Sequence, residues 1–260
     1  MNKVLNKSTH NLLKNTDISI QIQDDNKPLW SIETIQPIKQ TKLDTYFWQG
    51  RIARDNTTKD ETLNLGVGYR HLTPNKDWMY GVNLFYDRSN NDKHARTGLG
   101  LEALSPDTTL RANYYNSISG VKTISDIAGI KTTQEALDGY DVSVEIPIPN
   151  APWVSINAKH FDYDNKDNDD IKGNTYSIRT NLDSNTEFEI GSTDDNYSDR
   201  QSFAKFSFKF GADNDIATAQ NGKTVRNLNN HRLEKVRRNH SIVVSQKKTG
   251  SGGIAVGRRN

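Results

Sequence analysis

The residues from 62 to 70 alternate strictly between apolar side chains and polar side chains or glycine, and the same alternation recurs along the chain. Leu63, Leu65 and Val67 would point to one face of a β-strand, and Asn64 to the other. Many segments of about ten residues with this pattern, separated by turn residues, are the signature of a transmembrane β-barrel. The pattern therefore predicts a protein that crosses a membrane with strands.

The composition is polar for a folded protein of this length. Hydrophobic residues make up 33% of the 260 residues, and the mean hydropathy is −0.82. Disorder does not account for this polarity, because aromatic and β-branched residues recur in regular strands. A run of about 18 apolar residues, which a transmembrane helix needs, does not occur in the sequence. A barrel with a polar lumen fits, since its strands need only one apolar face.

The sequence gives no indication of catalysis or of a metal site. It contains no cysteine, which excludes disulfides, Cys-based zinc sites and thiol catalysis, and suits an envelope compartment. Its six histidines are scattered, without metal-ligand spacing such as H-E-x-x-H. We see no acid/base pair and no nucleophile triad, and we expect no enzymatic activity and no cofactor.

Twelve strands are predicted, and from the fourth strand onward their connections alternate in length. The gaps at 73–77, 105–108, 149–152 and 181–185 are short, whereas those at 87–95, 120–139, 163–174 and 192–200 are long and polar. Short turns at one end and long loops at the other are typical of outer-membrane barrels, and an even strand number brings both barrel ends to one side. The predicted strands are 17–23, 29–38, 44–54, 61–71, 78–87, 96–104, 109–118, 140–148, 153–162, 175–180, 187–190 and 201–210.

The polar face of these strands supplies candidates for residues that line the lumen. They are Arg70, Asp87, Glu102, Arg111, Asp141 and Glu145. The opposite face is apolar, and aromatic residues near the strand ends suit the interfacial girdles of a barrel. The alternative from another class is a soluble β-sandwich binding protein, because sandwich strands with one wet face share the period of two.

Several segments resemble a known family in their order along the chain. They are Leu65-Gly66-Val67-Gly68-Tyr69-Arg70-His71, Trp78-Met79-Tyr80-Gly81-Val82-Asn83-Leu84-Phe85-Tyr86-Asp87, Arg111-Ala112-Asn113-Tyr114-Tyr115, Gly139-Tyr140-Asp141-Val142, and the stretch 233–244 after the last strand. Together they resemble the barrels of the inverse autotransporter family, which includes intimin and invasin, over roughly residues 17 to 248.

This resemblance implies an all-β fold and a place in type V secretion. The expected fold is a twelve-stranded antiparallel transmembrane β-barrel whose C-terminal linker threads the lumen and holds an exported adhesin outside, so that cell adhesion depends on the passenger. The expected location is the cell outer membrane of a Gram-negative type of envelope. The implied partners are outer-membrane lipid, the barrel-assembly machinery and periplasmic chaperones, and the barrel is expected to be monomeric.

Charge divides the chain into an acidic body and a basic C-terminal part. From Asp213 onward the chain carries ten basic and three acidic residues, a net charge of +7, whereas residues 1–212 carry −5. Residues 213–246 are long enough to cross a hydrocarbon core of about 30 Å even at the helical rise of about 1.5 Å per residue. The pore-linker candidates are Arg232, Arg237 and Arg238. We expect them to face the lumenal carboxylates Asp141, Glu145 and Glu102.

Four regions follow from these observations. Residues 1–16 form an N-terminal extension without the apolar core of a signal peptide, 17–212 form the barrel, 213–248 form the basic pore linker, and 249–260 form a flexible tail. A passenger of immunoglobulin-like fold needs about 100 residues, so we expect the passenger to be missing or truncated here. The alternative function is a small plugged or narrow outer-membrane pore without a passenger.

Three other motifs are better explained by a barrel. The glycines from Gly98 onward match a loose G-x-G-x-x-A pattern, but a turn at Ser105 follows where a dinucleotide-binding loop would open a helix, so we expect these glycines to face a crowded lumen or to ease strand curvature. Residues 162–170 are acidic, yet Lys166 stands where a calcium ligand is needed, which favours a solvated outer loop. The basic C-terminal part lacks the interleaved aromatic residues of a nucleic-acid site.

Overall fold

The computed structural model describes residues 13–91, 93–127, 130–166, 168–211, 217–220, 223–250 and 253–259. Almost all regular structure in these ranges is β-strand. The strands are β1 (Thr16–Gln23), β2 (Asn26–Gln40), β3 (Asp44–Asp55), β4 (Asp60–Leu72), β5 (Met79–Ser89), β6 (Ala95–Leu104), β7 (Thr109–Ser117), β8 (Lys122–Ile127), β9 (Ile130–Ala136), β10 (Gly139–Ile148), β11 (Ala151–Tyr163), β12 (Ile171–Asn181), β13 (Thr186–Asp195), β14 (Gln201–Phe210), β15 (Thr218–Gln220), β16 (Lys223–Val225), β17 (Val244–Gly250) and β18 (Gly253–Arg259).

Twelve of these strands close into an antiparallel barrel in the order β1-β2-β3-β4-β5-β6-β7-β10-β11-β12-β13-β14. Strand β1 closes the barrel by pairing with β14, from Thr16 opposite Phe210 to Gln23 opposite Phe203. Closure gives every barrel strand two neighbours, which hydrocarbon requires because it offers no partners for backbone N–H and C=O groups. The fold class predicted from the alternation, a twelve-stranded antiparallel barrel, is confirmed. The described residues contain no helix with the length and apolar character that a membrane span needs.

The outer and inner faces of the barrel differ in polarity. On β6, for example, Leu99 and Leu101 point outward and are 49% and 57% exposed, whereas Arg96 and Glu102 point inward and are buried. Exposed apolar side chains continue around the exterior on the other barrel strands, as at Ile18, Ile32, Trp48, Leu65, Val82, Leu110, Val142, Ile156, Ile178, Ile190 and Phe206. An apolar exterior around a polar interior is the arrangement of outer-membrane barrels.

The two ends of the barrel carry connections of different length. At one end, the short-turn end, residues 105–108, 149–150 and 182–185 connect the strands. At the other end, the long-loop end, residues 118–138 form the largest connection, and this region expected to be a loop contains the hairpin of β8 and β9. The structure therefore adds a β-hairpin at the long-loop end that the sequence pattern did not predict.

A second sheet lies at the long-loop end, with the strand order β18-β17-β9-β8. Strand β17 pairs along β9 and also along β18, so the chain after the barrel joins the hairpin that protrudes from the barrel wall. This corrects the flexible tail predicted for residues 249–260, because residues 253–259 within it form β18. Strand β18 pairs with β17, and β17 takes its other neighbour from β9, more than a hundred residues earlier, so the local pattern of residues 249–260 does not indicate this sheet.

Candidate functional site

The chain between β16 and β17 lies among the inward-facing side chains of the barrel. We call residues 226–243 the inner segment. It starts with a short 3₁₀ helix, Leu228–His231, whose N-cap residue Asn227 accepts a hydrogen bond from the N–H of Asn229 at 3.1 Å. Its other residues form turns, bends and extended chain, so most of its backbone groups need partners on the barrel.

At the short-turn end, the inner segment makes an apolar contact. Leu228 is 1% exposed and packs against Leu72, Met79 and Leu104, which lie at the ends of β4, β5 and β6. Burying a leucine in this way contributes about 1.5–3 kcal/mol relative to leaving it in water. The contact closes this part of the barrel mouth with hydrocarbon side chains.

Arg232 binds the turn between β2 and β3 through main-chain carbonyl groups. Its Nε donates to Oγ1 of Thr45 and its Nη1 to the carbonyl of Thr41, both at 2.8 Å, while its Nη2 donates to the carbonyl of Asp44. The predicted carboxylate partners of Arg232 therefore have other roles. A planar guanidinium with several donors suits this contact, because it can satisfy several oxygen atoms at once.

Arg70 and Glu102 form a buried ion pair between β4 and β6. Nε of Arg70 lies 2.5 Å from Oε1 of Glu102, and the two side chains are 1% and 3% exposed. Nη1 of Arg70 also donates to the carbonyls of Arg232 and Glu234, at 3.0 and 2.5 Å. One barrel side chain thus satisfies two carbonyl groups of the inner segment while Glu102 balances its charge.

Asp87 is the centre of a buried charge cluster. Its two carboxylate oxygens accept hydrogen bonds from Nη1 and Nη2 of Arg238, at 2.7 and 2.8 Å, and from Nε of Arg96 at 2.8 Å. Nδ2 of Asn64 donates to the same carboxylate at 2.8 Å, and the Arg238 guanidinium lies over the Phe85 ring at 4.5 Å from its centroid. Two-point contacts between a guanidinium and a carboxylate are among the strongest polar contacts in proteins.

Gly98 on β6 makes room for Arg238. A Cβ atom at position 98 would lie 2.5 Å from Nη2 of Arg238, closer than carbon and nitrogen approach each other without bonding. Glycine is therefore required at this point of the wall while Arg238 keeps its contact with Asp87. The glycine motif that begins at Gly98 faces a crowded lumen, as expected.

A second charge cluster lies on the opposite wall. Nη2 of Arg237 lies 2.9 Å from Oε2 of Glu187 on β13, and Nη1 of Arg179 lies 2.7 Å from Oε1 of Glu145 on β10. Arg111 joins the cluster through Glu145 at 2.9 Å. Carboxylates and guanidiniums alternate here, so each buried charge has an opposite charge beside it.

Asp141 acts on the inner segment through a tyrosine. It accepts hydrogen bonds from Nδ2 of Asn113 at 2.7 Å and from Oη of Tyr115 at 2.6 Å. Oη of Tyr115 in turn accepts the backbone N–H of Asn239 at 2.7 Å, and Oη of Tyr163 accepts from Nδ2 of Asn239 at 2.7 Å. This chain of hydrogen bonds fixes the backbone near the long-loop end.

The structure places all six lumen candidates on the inward face, and each contacts the inner segment directly or through one neighbouring side chain. The expected ion pairs between these carboxylates and the inner segment are different, however. Arg238 binds Asp87, Arg237 binds Glu187, and Arg232 binds carbonyl groups. Six further barrel residues, which the sequence analysis did not name as candidates, also contact the inner segment: Asp17, Glu33, Gln49, Tyr115, Tyr163 and Glu187. The period of two could have indicated Glu187, because it lies at one of the alternating inward-facing positions of β13.

Two sequence comparisons bear on this arrangement. The family described as "Inverse autotransporter, beta-domain" matches residues 1–240. The inverse autotransporter adhesin YeeJ of Escherichia coli (strain K12) is 27% identical over 153 residues, which are 57% of this chain but 6% of YeeJ. The chain thus spans a small part of the length of that relative.

Solved structures share the barrel architecture at low sequence identity. A chain solved in a study of the in-meso crystallisation of membrane proteins has a TM-score of 0.70 at 18% identity, with 88% of this chain and 98% of that chain covered. The KdgM porin has a TM-score of 0.52 at 8% identity, with 75% and 98% covered. An outer-membrane channel of Pseudomonas putida F1 also has a TM-score of 0.52 at 8% identity, with 76% and 96% covered. At such identities the likeness shows the fold alone.

Proposed function

This chain belongs to the inverse autotransporter β-domain family and is an outer-membrane β-barrel, and from that premise we propose that it is a translocator. In this role the barrel anchors and exports a polypeptide that continues from its C-terminal side, and residues 213–248 serve as the linker. The observation that carries the proposal is the two-point contact between Arg238 of the inner segment and Asp87 of the barrel wall. The relative YeeJ, an inverse autotransporter adhesin, supports an adhesin as the exported part.

The order of the contacts supports passage through the lumen. Strand β14 ends at the short-turn end, where the N–H of Lys209 donates to the carbonyl of Asn185 in the turn before β13. From there the inner segment contacts Leu104 through Leu228, and its last residue, Val243, accepts a hydrogen bond from the N–H of Leu137 at the long-loop end. A linker that begins at one end and finishes at the other carries the chain across the membrane inside the barrel.

The electrostatics of the inner segment favour a firm anchor. Its cations include Arg232, Lys235, Arg237 and Arg238, and Lys235 is paired with Asp17 on β1. Sliding of the segment would break several buried ion pairs together, and removing one partner of a buried pair typically costs about 3–5 kcal/mol. Such a linker would hold an exported domain against mechanical load.

We infer a transport and anchoring role without enzymatic activity. The buried carboxylates Asp87, Glu145 and Glu187 are each paired with guanidinium groups, which suits structural roles. Outer-membrane lipid would contact the apolar exterior of a monomeric barrel. The barrel-assembly machinery and periplasmic chaperones are the assembly partners that the family implies.

Conductance in planar bilayers tests whether the linker occupies the lumen. We expect a low conductance for the full chain and a clearly larger one for a variant without residues 213–260. Heat-modifiable migration on a gel provides the control that both barrels are folded. Equal conductance of the two folded barrels would contradict the proposal.

A display experiment separates a translocator from a plugged pore. A small immunoglobulin-like domain fused after residue 260 is expected to be labelled by antibody on intact cells. The matched control carries the same domain directly after residue 211, where it lacks the inner segment and should stay in the periplasm. If the deletion opens the pore but the domain fused after residue 260 remains inside, the chain is a plugged pore.

A further inference from the structure

The inner segment leaves the barrel at the long-loop end and continues directly into β17. There β17 lies antiparallel along β9, from Val244 opposite Ala136 to Thr249 opposite Lys131. We propose that the hairpin of β8 and β9 is a strand-addition site, which takes up the polypeptide that emerges from the barrel through main-chain hydrogen bonds. The proposal rests on the translocator function and adds the surface that receives the chain outside.

The β8–β9 hairpin lacks the features of a stable structure by itself. A two-stranded hairpin is marginally stable in water, and β9 without β17 would present a free edge of backbone N–H and C=O groups. The hairpin also has little core, since Ile124, Ile127 and Ile130 are exposed. Strand β17 covers that edge, and the resulting four-stranded sheet gives each of the two hairpins the partners that it lacks.

The barrel mouth fixes the register in which β17 pairs with β9. The N–H of Leu137 donates to the carbonyl of Val243 at 3.0 Å, and both residues are buried in one apolar cluster with Tyr115 and Tyr163. The adjoining cluster consists of Ala136, Ile242 and Val244. A slip by one residue would turn these apolar side chains to the opposite face of the sheet, so the pairing is strongly specified.

The hairpin is also held beside the exit by His94 of the loop between β5 and β6. Nε2 of His94 lies 3.1 Å from Oε1 of Gln134 on β9, and Nδ1 lies 3.0 Å from Oγ of Ser119 before β8. His94 is completely buried. These contacts orient the edge of β9 toward the chain that leaves the lumen.

Strand addition suits an exported polypeptide because the pairing uses backbone N–H and C=O groups, which every sequence has. Affinity in this mode comes from main-chain hydrogen bonds, while side chains matter only where pockets receive them. The side chains from Ser245 to Thr249 are polar and only partly buried or exposed, in line with such sequence-tolerant contact. The β8–β9 hairpin would therefore hold the outer end of the linker against backward sliding.

Cysteine cross-linking tests the pairing in the full-length protein, since the chain has no native cysteine. Thr132 and Lys248 are direct Cα partners, so the double variant Thr132→Cys/Lys248→Cys places two thiols within the Cα distance of up to about 7 Å that a disulfide tolerates. The matched control, Thr132→Cys/Gln246→Cys, shifts the register by two residues, where diagonal neighbours are about 7–8 Å apart. We expect at least about tenfold more disulfide in the first variant. Equal yields, or no disulfide in either variant, would overturn the proposal.

Replacing the hairpin tests its role independently of any cysteine. A variant in which a short Gly-Ser turn replaces residues 122–136 leaves the barrel strands intact, which heat-modifiable migration verifies. On intact cells we expect cleavage by trypsin at Lys247 and Lys248 to become at least about tenfold faster, because local order protects a chain from proteolysis. Unchanged cleavage would overturn strand addition. Surface display of the fused domain, measured in parallel, reports on the translocator function separately.

Discussion

Arg238 and Asp87 form a two-point ion pair inside the barrel. Nη1 and Nη2 of Arg238 lie 2.7 and 2.8 Å from the two carboxylate oxygens of Asp87, and the side chains are 1% and 0% exposed. Asp87 also binds Arg96 of the neighbouring strand. The contact joins the chain that follows the barrel to the barrel wall, so the stability of both depends on the same carboxylate.

Substitution of this carboxylate should destabilise the barrel strongly. Asp87→Asn leaves the guanidiniums of Arg96 and Arg238 buried without their counter-charge, and we expect a loss of about 3–5 kcal/mol in the free energy of unfolding. Urea titration followed by heat-modifiable migration measures this change. In the control Arg54→Gln, an ion pair to Glu61 is lost whose side chains are 56% and 46% exposed, and the expected loss is about 0–1 kcal/mol. Equal losses in the two variants would show that the buried ion pair at Asp87 does not stabilise the barrel more than an exposed one.

A methyl group at position 98 should displace Arg238. Gly98→Ala places Cβ 2.5 Å from Nη2 of Arg238, so we expect a loss of about 1–3 kcal/mol from overpacking, together with a higher conductance in planar bilayers. At Gly120 a Cβ atom would meet no atom within 4 Å. Gly120→Ala should therefore leave both stability and conductance close to those of the parent protein. If Gly98→Ala changed neither stability nor conductance, Arg238 would not lie against Gly98.

The barrel itself could be predicted from the sequence because its determinants are local. A period of two along each strand distinguishes the apolar face from the polar face, as for Leu99 against Glu102 on β6, and turn residues separate the strands. The twelve strands are confirmed on this basis. The strands β8, β9, β17 and β18 were missed, because their sheet depends on the pairing of β9 with β17, which joins residues that are far apart in sequence.

The contacts of the inner segment could be predicted only in part. The alternation indicates that Asp87, Glu102 and Asp141 point inward, but the carboxylate that an arginine reaches depends on the register of every strand in the wall. Glu102 is occupied by Arg70, and Asp141 by Asn113 and Tyr115, so neither pairs with the basic residues of the inner segment as expected. The closed barrel determines which carboxylates remain available to the arginines of the inner segment. The sequence of a single strand does not contain that information.

A charged residue on the outer face should be tolerated only away from the membrane. Leu101 is 57% exposed in the middle of the outward apolar surface of β6, and Leu101→Arg is expected to cost about 2–4 kcal/mol in a lipid bilayer. Ile127 is 71% exposed but lies in the hairpin beyond the barrel wall. Ile127→Arg should change stability by less than about 0.5 kcal/mol. Refolding into lipid vesicles measures both, and an equal cost would contradict the assignment of the lipid-facing surface.

Removal of the apolar contact at the short-turn end should loosen the start of the inner segment. Leu228→Ala opens a cavity beside Leu72 and Met79, and we expect a loss of about 2–5 kcal/mol. Leu182 in the turn before β13 is 61% exposed, so Leu182→Ala is the matched control and should cost less than about 0.5 kcal/mol. Urea titration in detergent compares the two, and a cost at Leu228 no larger than at Leu182 would show that this contact does not anchor the segment.

We infer that the chain after the barrel passes through the lumen and emerges at the long-loop end. The most direct measurement is labelling of single cysteines with a membrane-impermeant maleimide on intact cells. Lys248→Cys lies on β17 beyond the exit, and Ser184→Cys lies in a turn at the short-turn end. We expect position 248 to be labelled on intact cells and position 184 to be labelled only after the outer membrane is permeabilised. Labelling of position 248 only after permeabilisation would show that the chain after the barrel does not emerge at the long-loop end.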